Sequence, residues 1–121
     1  MARVVHFEIP AVNLESAAEF YSNVFGWNIQ KWDGPIEYWM VKTGDAPEMG
    51  MDGGIYKKGN LEETINTIGV ENLEETINSV KENGGQLFGE ILTIPNVGIM
   101  AYCLDREGIK FGLMQPFEMM K

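Results

Sequence analysis

Residues Val4 to Trp27 read V-V-H-F-E-I-P-A-V-N-L-E-S-A-A-E-F-Y-S-N-V-F-G-W. The run opens as a strand: Val5, Phe7 and Ile9 alternate with His6 and Glu8, so one face is apolar and the other polar. Pro10 is expected to end that strand. Asn13 is a good helix N-cap, and Leu14, Ala17, Ala18, Tyr21, Val24 and Phe25 follow at the spacing of one buried helical face. Gly26 then stops the helix.

The same plan returns half a chain later. From Ile65 to Gly85 the sequence runs I-N-T-I-G-V-E-N-L-E-E-T-I-N-S-V-K-E-N-G-G, which is a short strand, an Asn-Leu-Glu helix start, an amphipathic helix and a glycine stop. Asn13-Leu14-Glu15 matches Asn72-Leu73-Glu74, so two copies of one module are expected. The first strands fall at Val4 to Ile9 and Thr64 to Ile68, and the helices at Leu14 to Phe25 and Leu73 to Asn83.

The rest of each module reads as strands. Trp27 to Trp32 is aromatic and mixed, Asp33-Gly34-Pro35 supplies turn chemistry, and Ile36 to Thr43 completes a hairpin. Gly44-Asp45-Ala46-Pro47 breaks the pattern before a third strand at G-G-I-Y-K-K, and Lys58-Gly59-Asn60 links the modules. In the second half three strands are expected. They are Gln86 to Ile94 with a break near Gly89, Val97 to Leu104, and Ile109 to Met114, the last two joined by the turn Asp105 to Gly108. The hexapeptide L-E-E-T-I-N occurs at Leu61 to Asn66 and again at Leu73 to Asn78. Context assigns the first copy to the approach to a strand and the second to a helix.

The predicted fold is therefore α+β: two βαβββ modules whose mixed sheets pair and curve around a cleft. Each sheet has one helix to cover one face, which leaves its other face open. His6 and Glu8 lie opposite Val5, Phe7 and Ile9 and are expected to line the cleft. Tyr38, Met40, Met100, Tyr102 and Met114 lie on strands and either line an apolar pocket there or pack in the core.

Composition excludes several functions. The 121 residues are enough for one domain with a core of its own, with module one over about 1–58 and module two over about 61–117. A formal charge of -9 argues against nucleic acid, whose phosphates are held by clustered Lys and Arg. The acidic clusters Glu62-Glu63, Glu74-Glu75 and Glu82 read as solvated faces. No run approaches the roughly 20 apolar residues of a membrane span, and no secretion signal is read at the N-terminus, so a cytoplasmic protein without a membrane partner is expected. The single cysteine, Cys103, reads as a small buried hydrophobe, with a catalytic thiol as the alternative.

The opening run H-F-E-I-P-A-V-N-L-E-S-A-A-E-F-Y-S-N-V-F-G-W resembles the first module of the vicinal oxygen chelate superfamily. That group includes glyoxalase I, the bleomycin-resistance proteins and the extradiol dioxygenases. G-G-I-Y-K-K, N-L-E-E-T-I-N-S-V-K-E-N-G-G and the closing L-D-R-E-G-I-K-F-G-L-M-Q-P fit the same pattern, so the resemblance covers nearly the whole chain. It implies a homodimer. It also implies that metal-using relatives hold a divalent ion through His or Glu on the first and last strands of each module. Here those positions carry His6, Ile65 and Gly112, with the fourth near Gly53 or Gly54 and Asp52 the nearest acid. One ligand in four is too few to hold a catalytic ion, so no metal and no other cofactor is expected.

Three functions are open on this reading. The first is a metal-free protein that binds a small apolar or mixed-polarity molecule beside His6. The second is a glyoxalase-like lyase or isomerase, or a dioxygenase relative, either metal-assisted or using His6 and Glu8 as an acid–base pair. The third is an interaction subunit without a ligand. His6 is accordingly a hydrogen-bonding residue of the cleft, a metal ligand or a general base.

Overall fold

The structure is a computed structural model that describes residues 2–59 and 63–117. Its elements run β1 (Arg3–Ala11), α1 (Leu14–Phe25), β2 (Asn28–Lys31), β3 (Tyr38–Lys42), β4 (Asp52–Lys57), β5 (Ile65–Gly69), α2 (Leu73–Glu82), β6 (Gln86–Ile94), β7 (Gly98–Leu104) and β8 (Lys110–Pro116). This is β-α-β-β-β twice. Two compact units divide the chain: one is His6–Thr64, and the other runs from Ile65 onward and includes the chain start through Val5.

In the first unit the strands lie in the order β2-β3-β4-β1. β2, β3 and β4 form an antiparallel meander, and β4 returns beside β1 in parallel. A parallel return requires a crossover, and the meander supplies it. In the second unit the order is β5-β8-β7-β6, with β8 parallel to β5 and β7 antiparallel to both β8 and β6. The two units have one topology.

Local chemistry explains both helices. Asn13 and Asn72 stand in extended backbone just ahead of α1 and α2. Their side-chain Oδ1 atoms accept from the backbone N–H of Ser16 at 2.9 Å and of Glu75 at 3.0 Å. Each bond satisfies a donor that the first helical turn leaves without a partner. Acidic residues follow at once, Glu15 in α1 and Glu74 and Glu75 in α2, where the helix dipole favours them. At the far end of α1 Gly26 takes the left-handed conformation at φ 74, and its N–H reaches the Ser22 carbonyl at 2.9 Å. α2 ends one residue earlier than expected, at Glu82. Asn83 is the cap, and Gly84, at φ +96, makes the left-handed turn.

Each helix covers one face of its own sheet. In the first unit Leu14 and Ala18 of α1 pack with Ala11, Val41 and Ile55, and Phe7, Ile9, Tyr21, Trp27 and Trp39 close around them. Trp27 lies 5.3 Å from Tyr21 in a near-parallel stack and 6.0 Å from Phe7, which anchors the chain where it leaves the helix. In the second unit Leu73 and Ile77 pack with Val70, Ala101, Cys103 and Leu113. The Leu73 N–H also donates to the Gln115 side chain at 2.8 Å, tying the start of α2 to β8. Cys103 is fully buried, and burial pushes its thiol pKa up, with Lys81 opposing weakly. A thiol held neutral in a core is a packing group and a poor nucleophile.

The structure corrects some boundaries. Pro10 does not end β1: the ladder continues through Pro10↔Tyr56 to Ala11↔Lys57, and the Lys58 N–H reaches the Ala11 carbonyl at 2.7 Å. A prolyl nitrogen is tolerated in a ladder wherever that rung uses the residue's carbonyl and not its N–H. β3 begins at Tyr38 and not at Ile36, because Ile36 and Glu37 still belong to the exposed turn. β5 runs Ile65–Gly69, and β8 extends to Pro116. The break near Gly89 is a register shift between Phe88 and Leu92, and Gly89 sits there at φ 86. Asn60 of the linker and Leu61 and Glu62 of the first hexapeptide lie outside the described residues. The second hexapeptide is helical as expected. Among the described residues no helix is long and apolar enough to cross a membrane.

Candidate functional site

Strand register decides which side chains share a face. In the first unit Ile29, Val41, Gly53 and Phe7 are opposed across the sheet, as are Lys31, Trp39, Ile55 and Ile9, and these rows face α1. The alternate rows are Gln30, Met40, Gly54 and Glu8, then Tyr38, Tyr56 and Pro10, with the pairs Asn28–Lys42 and Asp52–His6 in the same alternation beyond them. His6, Glu8, Tyr38 and Met40 therefore share the face that the helix leaves uncovered. In the second unit Leu113 and Ala101 face α2 with Cys103, while Gly112 with Tyr102 and Met114 with Met100 form rows on the opposite face. The seven pocket candidates read from the sequence, His6, Glu8, Tyr38, Met40, Met100, Tyr102 and Met114, lie on the helix-free face of their own sheets, whereas Cys103 faces α2.

Two of them are joined directly. The His6 Nε2 and the Tyr38 hydroxyl are hydrogen-bonded at 2.8 Å, although they stand on β1 and β3 with β4 between them. Gly54 is the reason. A Cβ at that position would fall on the Tyr38 hydroxyl and ring, so the missing side chain is the space through which Tyr38 crosses β4. Trp32 meets Tyr38 edge-on at 6.3 Å and supports the ring from the turn side.

Electrostatics favour a neutral imidazole. Burial pushes the His6 pKa below its ordinary value, and the nearby carboxylates of Glu8 and Asp52 oppose this without overcoming it. With the ring neutral and its proton on Nδ1, the phenol donates to Nε2, so the pair can pass a proton in either direction. Glu8 is buried on the same face. Asp52, the partner of His6 in the ladder, is committed elsewhere: its Oδ1 accepts from the Thr43 N–H at 2.8 Å and from the Thr43 hydroxyl at 3.4 Å, closing the β3–β4 loop.

Register also resolves the fourth position of the superfamily's ion site. Thr67, two residues past Ile65, is opposite Gly112, and Glu8, two residues past His6, is opposite Gly54. The internal repeat therefore equates Gly54 with Gly112, and Asp52 is two residues out of register. At Gly112 a Cβ would meet the Thr67 hydroxyl at 2.9 Å, much as one at Gly54 would meet that of Tyr38. In each unit the last-strand position has no side chain, and a neighbouring hydroxyl stands against it. Ile65 offers only a buried aliphatic chain. These residues do not fit a divalent ion, and among the described residues no group of three His, Cys, Asp or Glu is placed to hold one.

The Tyr38–His6 bond was not read from the sequence. Its one signal was the pair Gly53-Gly54 inside a strand, where glycine commonly marks a close approach by another group. Lys110, whose ammonium lies 4.5 Å from the Phe88 ring centre and 5.8 Å from that of Tyr102, was also missed. It sits two residues before Gly112 on β8 and shares its face.

A fold of two βαβββ units whose uncovered faces carry the polar candidates is that of the vicinal oxygen chelate superfamily, and comparison with known proteins agrees. A family profile described as bleomycin resistance protein-like N-terminal matches residues 3–44. A glyoxylase-like domain-containing protein of Didymella fabae is 35% identical over 109 residues, covering 84% of each chain. Among solved structures, a hypothetical protein of Bacillus halodurans C-125 superposes with a TM-score of 0.74 at 17% identity, over 99% of this chain and 98% of that one. Methylmalonyl-CoA epimerase of Mycobacterium tuberculosis gives 0.72 at 13% identity, over 95% and 88%. A variant of the Streptomyces coelicolor epimerase in complex with 2-nitronate-propionyl-CoA gives 0.73 at 14%, over 96% and 98%. The chain belongs to the vicinal oxygen chelate superfamily, in its glyoxalase and bleomycin-resistance-like branch.

Proposed function

We propose that this protein binds a small molecule of apolar or mixed polarity on the uncovered face beside His6, and that it does so without a metal ion. The observation that carries the reading is the Tyr38–His6 bond across Gly54. Where a metal-using relative would direct a carboxylate at an ion, this chain has a phenol bonded to the imidazole, set beside Met40. That combination suits a ligand with one polar group on an apolar body: the pair can donate or accept one hydrogen bond, and the thioether adapts to shape. The complex of the Streptomyces coelicolor epimerase with 2-nitronate-propionyl-CoA supports the reading at the level of the fold, which can hold a small organic ligand.

One observation favours a second reading, a lyase or isomerase without a metal. A neutral imidazole that accepts from a phenol can take a proton from a carbon acid by relay, the phenol oxygen receiving it as the phenolic proton passes to His6 Nε2, and can return it by the reverse path, with Glu8 buried on the same face. The mark of such an enzyme is washout of deuterium from a labelled ligand, lost in His6→Gln.

The direct test of the first reading pairs native mass spectrometry of the purified protein with nickel and zinc titration calorimetry after dialysis. A small organic molecule carried through purification and released by denaturation is expected, with no ion bound one to one. A tight ion per chain, abolished in His6→Ala, would refute the metal-free reading.

A further inference from the structure

We infer that Asn83–Gly84 is a site of spontaneous covalent modification: the chain deamidates itself there whenever the last turn of α2 opens, and the product can no longer cap the helix as Asn83 does.

This is the one Asn-Gly step in the sequence. Glycine, with no side chain, leaves its own backbone nitrogen unshielded, and that nitrogen is the nucleophile. The Gly84 nitrogen attacks Cγ of Asn83 and forms a new N–Cγ bond. The Cγ–Nδ2 bond breaks, and the displaced amide proton leaves with Nδ2 as ammonia. Water, the only co-reactant, then opens the five-membered succinimide at either carbonyl and yields aspartate or isoaspartate.

The cap holds both reacting groups. Asn83 Nδ2 donates to the Ser79 carbonyl at 2.8 Å, and the Gly84 N–H donates to the Lys81 carbonyl at 3.2 Å. Ring closure needs the Gly84 nitrogen swung round beside the Asn83 side chain, and the backbone at φ -102 and ψ 16 turns it away. The reaction therefore waits for these two bonds to break. Opening is frequent, because both residues are exposed, the Gly84 bond is long and helix ends fray at little cost in free energy. The step is one-way, since the ammonia is lost to solvent. A carboxylate at residue 83 has no hydrogen to give Ser79, and its charge stands where the last carbonyls of the helix are already partly negative. Asp105 and Glu107 line the same surface cleft as Asn83, against Arg106 in the cleft and Lys81 in the last turn.

Peptide mapping of the full chain, held at body temperature and mildly alkaline pH, follows the Asn83 peptide by mass spectrometry with isoaspartate separated from aspartate. Conversion is expected in the native protein with isoaspartate among the products, and about tenfold or more faster in urea, where the two hydrogen bonds no longer compete. Gly85→Ala would set a Cβ against the Leu104 carbonyl and the Val80 side chain, so it disturbs the cap without touching a reacting atom and should speed the native reaction several-fold. Should that variant not fold, native against urea-unfolded wild type decides alone. Equal rates in those two states, a native protein that never converts, a folded Gly85→Ala that converts no faster, or aspartate without isoaspartate would each overturn the inference. Asn83→Asp carries the product's charge and should unfold at lower urea than wild type; an unchanged midpoint would overturn the loss of the cap.

Discussion

Replacing Gly54 with alanine should break the link between Tyr38 and His6 and cost roughly 1 to 3 kcal/mol of stability. The added Cβ would land on the Tyr38 ring and hydroxyl, a rigid end that cannot move without rotating the whole side chain. Three effects compete. Displacing a well-packed ring costs about 1–3 kcal/mol, and losing one part-buried hydrogen bond costs about 0.5–1.5 kcal/mol. Against them, removing a glycine stiffens the unfolded chain and returns about 0.4–1 kcal/mol. The loss wins unless Tyr38 finds an equally good seat elsewhere. Urea unfolding gives the stability change, and with a single histidine in the chain the imidazole Cε1–H resonance reports on His6 without further assignment. Its pKa should shift in Gly54→Ala. A double-mutant cycle isolates the contact: in a Tyr38→Ala background the three atoms nearest the added methyl are gone, so most of the cost should vanish and leave a coupling of about 1–2 kcal/mol. If Gly54→Ala costs the same in both backgrounds, or leaves the His6 titration unmoved, the proposed role of Gly54 is wrong.

Other outcomes can be checked on the same protein. His6 is depressed in the folded state, so the unfolded chain binds more protons near its ordinary pKa of about 6.5. The stability His6 contributes is present above that pH and lost as pH falls through the folded value. Urea midpoints in wild type and His6→Gln should therefore converge in acid, and a gap that widens there would contradict the assignment. Asn13→Ala and Asn72→Ala should each cost about 1 kcal/mol through their lost caps; circular dichroism melts showing neither effect would contradict the capping geometry. Cys103 should resist thiol reagents in the native protein and react on unfolding, as followed by mass spectrometry. A homodimer is expected, and light scattering that shows monomer alone at micromolar concentration and above would rule it out.

Periodicity within a few residues was enough to place the helices of both modules. The i, i+3, i+4 apolar spacing, an asparagine cap and a glycine stop are all local, and α1 ends where its pattern ends. The repeated Asn-Leu-Glu was likewise legible, because each module needs the same cap. Alternation along β1 showed that His6 and Glu8 share one side and Phe7 and Ile9 the other. It could not show how β1, β3 and β4 are registered, since register depends on ladder hydrogen bonds between residues far apart in the chain. For that reason Tyr38 and Met40 stayed undecided between pocket and core until the strands were paired, and the choice between Gly53 and Gly54 stayed open. Pro10 was misread for a related cause: a proline interrupts a strand only if its rung needs the N–H, and the partner decides that. The contacts that give the uncovered faces their character, Tyr38 with His6 and Lys110 with Phe88, join residues 32 and 22 positions apart. They exist because a missing side chain at Gly54 opens a path in one case and a long flexible stem crosses a strand in the other. Both are properties of side chains brought together in space, which no local pattern encodes.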